Sequence, residues 1–186
     1  MRIITGEFRG RVIKAVPGDN TRPTTDKVKE TVFNRLGQYF DGGNALDLFA
    51  GSGNLGLEAL SRGIEKCIFV DSNNQAIKII KENIATLKVE NRCEVYRVDA
   101  FVAMQKFSLQ EKKFDLVFLD PPYGKISISE LLESLSRLNL MNDNAVVMCE
   151  YSVGIEVEFE TFGYTELKRG TYGTIEVLIL DWMNKS

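Results

Sequence analysis

The sequence predicts an α/β fold, a mostly parallel sheet covered by helices on both faces and preceded by a short basic extension. Three observations carry this. From residue 44 onward, short apolar runs rich in β-branched and aromatic residues alternate with longer stretches whose apolar residues recur at helical spacing. The last two apolar runs are separated by a short glycine-containing turn, so they pair antiparallel. Four of the runs end in or beside an aspartate (Asp47, Asp71, Asp99 and Asp120). In open α/β sheets that edge is where ligands bind.

In chain order, residues 2–5 and 11–16 read as two short strands joined through a glycine-flanked loop, 6–10, with two arginines in or beside it. Residues 17–23 are a turn-rich linker. A helix follows at about 25–40, capped by Thr24 or Thr25, with Val28, Val32, Phe33, Leu36, Tyr39 and Phe40 at helical spacing. Gly42 and Gly43 close this extension, which divides the chain into 1–43 and 44–186. Strands are then expected at 44–50, 66–71, 93–99, 114–120, 144–151, and near 164–168 and 174–182. Helices are expected near 54–62, which Gly63 stops, at 73–88, near 100–107 and near 128–139.

At 186 residues the chain makes one domain with an appendage, and its 44% hydrophobic content suits a globular protein. No apolar stretch reaches the about 18–20 residues of a membrane span, and residues 1–6 lack the apolar core of a signal peptide. Cys67, Cys93 and Cys149 read as reduced core thiols of a cytoplasmic protein. There is no histidine, which removes Ser–His and Cys–His nucleophiles and histidine-rich metal sites. Acid–base work falls to carboxylates, backbone groups and tyrosine, and no metal is expected.

Charge is unevenly spread. Residues 1–35 hold eight Lys and Arg against four acids, a balance of +4, and the remaining 151 carry −7. A basic front on an acidic body suits a polyanionic partner. Arg2, Arg9, Arg11, Lys14, Arg22 and Thr24 are the candidate contacts, with Lys168 and Arg169 near the final hairpin.

The stretch 47–56 reads strand, glycine-rich turn, helix start. Gly51, Gly53 and Gly56 match the dinucleotide-binding spacing, and Asp71 lies twenty residues beyond Gly51, where a carboxylate bonds ribose hydroxyls. A nucleoside cofactor is expected, held also by Phe49, Ser52 and Ser72. Asp47, just before the turn, repels a pyrophosphate but suits a cationic amine. S-adenosylmethionine, with an ammonium, a sulfonium and no phosphate, answers that requirement. Asp99-Ala100 is placed to accept from an adenine amine.

Asp120-Pro121-Pro122-Tyr123 closes the apolar run 114–119. Two prolines force an extended, stiff exit that presents carbonyls without competing N–H donors. The Asp120 carboxylate and Pro121 carbonyl are a matched pair of acceptors for the two protons of a nucleobase amine. Held so, the nitrogen becomes pyramidal and its developing charge is stabilised. Tyr123 is expected to stack on the base, worth ~1–3 kcal/mol.

These motifs in this order resemble class I S-adenosylmethionine-dependent methyltransferases that modify exocyclic amines. Residues 2–6 with Gly10-Arg11, then 22–26 leading into 29–34, and 56–63 are similar to the bacterial 16S ribosomal RNA guanine-N2 methyltransferase family (RsmD-like). The resemblance covers the whole chain. It implies a Rossmann-like seven-stranded sheet with an antiparallel last strand, an RNA-contacting extension, and a substrate guanine in 16S rRNA of a partly assembled small ribosomal subunit. Departures are Asn54, where a small residue is usual and which reads as a helix cap, and Lys27 and Lys29, where arginine is usual and bidentate phosphate recognition is lost. Competing readings are a DNA adenine-N6 methyltransferase, an NAD-binding oxidoreductase and a non-catalytic RNA-binding protein. A monomer is expected.

Overall fold

The computed structural model describes residues 1–17 and 26–183. Its secondary structure runs α1 (Asp26–Leu36), β1 (Asn44–Asp47), α2 (Asn54–Ser61), β2 (Lys66–Asp71), α3 (Asn74–Leu87), β3 (Cys93–Arg97), α4 (Ala100–Leu109), β4 (Phe114–Leu119), α5 (Ile128–Arg137), β5 (Met141–Ser152), β6 (Tyr164–Tyr172) and β7 (Ile175–Trp182). The seven strands form one sheet in the order β3-β2-β1-β4-β5-β7-β6. β1 to β5 are parallel, and β7 runs antiparallel between β5 and β6. The α/β expectation and its antiparallel close are borne out.

Local chemistry sets the elements. Asn73 caps α3 by accepting from the N–H groups of Gln75 and Ala76 at 2.8 and 3.1 Å. Ser127 caps α5, whose Ile128, Leu131, Leu132 and Leu135 form one buried stripe. Alternation along the strands supplies two cores. Leu46, Val70 and Val117 face α4 and α5, packing on Met104, Phe107 and Leu132. Ala45, Phe69 and Phe118 face α1 to α3, packing with Phe33, Leu57 and Ile80. Ile3 and Ile13 of the N-terminal arm are buried in this second core.

Several boundaries differ from expectation. The two N-terminal strands reduce to one antiparallel bridge, Arg2 with Val12, because Ile4, Thr5 and Phe8 give their N–H groups to side chains of α2 instead of a partner strand. α1 stops at Leu36, before Gly37 at φ +119°. The following Phe40 N–H donates to the Arg62 carbonyl at 2.8 Å, and Tyr39 stays exposed. β5 starts three residues early, with its register against β4 shifting between Phe114 and Leu116. β6 continues through 169–172, so the hairpin turn is Gly173-Thr174, with Gly173 at φ +63°. The linker and the Thr24 or Thr25 cap fall outside the described residues, as do Arg22 and Thr24 themselves.

Candidate active site

The chain leaves β1, β2, β3 and β4 at one edge of the sheet, and the four predicted aspartates gather there. Gly51 and Gly53 take φ of +56° and +85°, which turns β1 sharply into α2. The Gly51 N–H donates to Asp71 Oδ2 at 2.8 Å, and Asp71 Oδ1 accepts from Asn73 N–H at 2.9 Å. Gly56 permits close approach of helix and sheet: a Cβ there would collide with the Phe69 ring and lie 2.8 Å from Cys67 Sγ. Its N–H donates to Asp47 Oδ2 at 3.1 Å. Asp47 is only 2% exposed. Burial lifts its pKa to about 7, the Asp71 charge adds to this, and the Gly56 N–H opposes it.

Above this floor lies a cavity of about 710 Å³. Asp47, Phe49, Gly51, Ser52, Asp71, Ser72, Asp99, Ala100 and Asp120 line it, as do Pro121, Pro122 and Tyr123. Gly53, grouped with them from sequence, does not; it is the left-handed residue that starts α2. Asp99 caps α4 through Oδ1, which accepts from Phe101 and Val102 N–H at 2.9 and 3.2 Å. Its Oδ2 takes no hydrogen bond from the described residues.

Asp120 follows β4 directly, and Pro121 behind it is buried. Burial, and then the charges of Glu150 and Asp47, hold its carboxyl well above the ordinary carboxylate range. Tyr123 is 44% exposed and stands on the rim between the first cavity and a second one of about 380 Å³. The second cavity also meets Pro121, Pro122, Glu150 and Ile155. The Asp-Pro-Pro-Tyr turn is thus the wall between two hollows.

Sequence reasoning missed part of the first cavity. Met1 and Ala15 to Pro17 of the N-terminal arm also line it. Asn83 holds them there: its Oδ1 accepts from Lys14 N–H at 2.8 Å and its Nδ2 donates to the carbonyls of Lys14 and Ser52, both at 2.9 Å. An asparagine in the middle of an otherwise apolar helix face was the available signal.

The candidate RNA contacts sit in different states. Arg2, Arg9, Arg11 and Lys14 are all exposed on the arm. Arg2 faces Asp26 at 3.8 Å, Arg11 donates to the Thr86 carbonyl at 2.8 Å, and Lys14 pairs with Glu82 at 3.1 Å. The side chains of Arg9 and Lys168 have no partner among the described residues. Arg169 is held by Glu166 and Glu176, each at 2.8 Å, and donates to the Tyr151 hydroxyl at 3.0 Å. Lys29 is fully buried, so it faces no phosphate. Its Nζ donates to Asn54 Oδ1 at 2.8 Å and to the Arg2 carbonyl at 2.6 Å, and pairs with Glu58 at 3.1 Å. Asn54 correspondingly makes no cap.

Comparison with known proteins places this geometry. The model of the family described as conserved hypothetical protein 95 matches residues 1–181. The chain belongs to this family. A Bacillus subtilis relative named "Putative rRNA methyltransferase YlbH" is 44% identical over 96% of this chain and 97% of its own. The Escherichia coli "Ribosomal RNA small subunit methyltransferase D" is 36% identical over 86% of this chain and 76% of its own. An Escherichia coli structure described as "Putative methyltransferase yhhF" superposes with a TM-score of 0.84 at 31% identity, covering 100% of this chain and 99% of that one. The conserved hypothetical protein 95 family pattern therefore spans the arm and the body together.

The residues present fit S-adenosylmethionine. A buried, proton-poised Asp47 and a carboxylate at each neighbouring strand end answer a cationic amino acid moiety, a ribose and an adenine amine. The first turn of α2 carries no basic side chain to hold a pyrophosphate.

Proposed function

We propose that this protein methylates the exocyclic N2 of a guanine in 16S rRNA of the assembling small subunit, with S-adenosylmethionine as methyl donor. The supporting observation is the position of Asp120, a carboxyl lining a cofactor-sized cavity next to the Pro121–Tyr123 turn, which also lines a smaller one. When bound, S-adenosylmethionine supplies an electrophilic methyl group.

The chain's own residues do the rest. Asp47 faces the cationic end of the donor and Asp71 its ribose. Asp99 Oδ2 accepts from the adenine amine while Oδ1 keeps its cap. Asp120 and the Pro121 carbonyl accept the two amine protons of the guanine, which pyramidalises the nitrogen and aims its lone pair at the methyl group. Tyr123 stacks on the base drawn out of the RNA. The arm, with Arg2, Arg9 and Arg11, runs over the RNA backbone; Arg22 and Thr24, the next candidates in sequence, are assigned to the same RNA contact. Lys14 belongs to the same arm, and Lys168 on β6 is a further candidate contact.

The test is transfer of labelled methyl to small-subunit particles, naked ribosomal RNA and DNA, with nucleoside analysis. N2-methylguanosine from RNA is the expected product. N6-methyladenine in DNA would overturn the substrate while leaving the cofactor.

A further inference from the structure

Asp120 has a neighbour that no motif announces. β4 and β5 are parallel and pair Leu119 with Cys149, so Asp120 and Glu150 fall at the same level beyond the strand end. Their carboxyl groups hydrogen-bond to each other. Glu150 is only 3% exposed and lies among the buried Met148, Cys149 and Tyr151. An acid is buried that deeply only when it is paired, hydrogen-bonded or neutral. Two carboxylates cannot hydrogen-bond without a proton between them, so at least one proton is held between the two groups.

Among the described residues, few other charges lie near the pair. Asp47 approaches from β1 and raises the pair's proton affinity. Lys125, from the turn after β4, lines both cavities; Glu130 of α5 and Glu156 line the second. Burial, and then the nearby acids, keep the shared proton to higher pH than for an isolated carboxyl.

We infer that Glu150 is a positioning residue for methyl transfer: through the shared proton it grips one oxygen of Asp120 and leaves the other turned to the amine as an anionic acceptor. The inference rests on the methyl-transfer reading above. In the transfer the N–C bond forms as the C–S bond breaks, its electron pair going to sulfur. The surplus proton on nitrogen passes to the free oxygen of Asp120. The pair then holds two protons, and one leaves to water with the product.

Two substitutions separate this role from a structural one. Glu150→Gln keeps a donor for Asp120 but removes the competing charge. It is expected to keep kcat at pH 8 within about threefold, with the acid limb of the kcat profile moved down by about one pH unit. Glu150→Leu removes the donor and is expected to lower kcat at least tenfold with cofactor Kd unchanged. An acid limb unmoved in Glu150→Gln, or full kcat in Glu150→Leu, overturns the inference. A carbon-13 carboxyl titration of Asp120 gives a readout independent of substrate. Wild type titrates in two coupled steps, Glu150→Gln in one step at lower pH. Identical curves overturn the pairing, whereas absence of guanine methylation by wild type, with the titrations as expected, overturns the functional reading instead.

Discussion

The ammonium of Lys29 lies 2.8 Å from the side-chain oxygen of Asn54, sealed from solvent where α1 crosses the start of α2. Two of the three positions that depart from the residues expected from the resemblance, Lys29 and Asn54, are thus partners. Around them, Glu58 accepts from Arg62 Nε at 2.8 Å and from the N–H groups of Ile4 and Thr5 at 2.9 and 3.1 Å. Burial pushes the Glu58 pKa up, but the Ile4 N–H and the Lys29 charge outweigh it and hold it below the usual value. Burial lowers that of Lys29 despite Glu58. Lys29→Met leaves Asn54 and the Arg2 carbonyl without their donor and is expected to cost about 3–5 kcal/mol in urea denaturation. A loss below about 1 kcal/mol would mean that this cluster does not fasten the arm.

The arm's second fastening is Asn83, and it bears on the cofactor cavity. Asn83→Ala removes three hydrogen bonds that set Lys14 against Ser52. It is expected to weaken cofactor binding about tenfold by freeing Ala15 to Pro17 from the cavity wall, as calorimetry would read. An unchanged Kd would show the wall to be incidental.

Asp47 gives a pH dependence of definite sign. Its folded pKa of about 7 lies above the ~3.9 of an unfolded aspartate, so between those values the folded state holds a proton that the unfolded state has lost. Stability of the protein without cofactor therefore declines as pH rises from about 4 to about 7, and this contribution is flat above. A cationic cofactor favours the ionised form. Its affinity should rise with pH up to about 7, by at most tenfold per unit, with up to one proton released on binding. Calorimetry in two buffers of different ionisation enthalpy checks this. Asp47→Asn should abolish the proton release.

The basic residues divide into engaged and unengaged. The Arg9 side chain has no partner among the described residues, whereas Arg169 is held by two glutamates and a tyrosine. Arg9→Ala is expected to lower the salt slope of RNA binding by about 0.7–0.9. Arg169→Ala is expected to leave it unchanged and to loosen the β6–β7 hairpin. Equal effects would contradict the division.

Much of this was legible in the sequence because its signals are local. Strand patterning, the Gly51–Gly56 spacing and the Asp-Pro-Pro-Tyr turn each depend on near neighbours, and they meet at one sheet edge as the parallel order requires. What was not legible depends on contacts between distant residues. Lys29 looks like any surface lysine until α1 is laid over α2, and Glu150 looks like any strand residue until β5 is set beside β4. Arg169 reads as a free cation because Glu176 faces it only across the hairpin. Gly53 was grouped with cavity residues because spacing does not say which glycine faces a ligand and which faces the helix.

The central claim is that Asp120 presents a target amine to the methyl donor. Removing that acceptor, Asp120→Ala, is expected to lower kcat by about 10²–10³ with cofactor Kd within about threefold. The most direct measurement is nucleoside analysis of small-subunit RNA from cells lacking this protein, complemented with wild type or with Asp120→Ala. One N2-methylguanosine is expected to be lost, restored by wild type and not by the variant. Full restoration by Asp120→Ala, or loss of a different modified nucleoside, would contradict it.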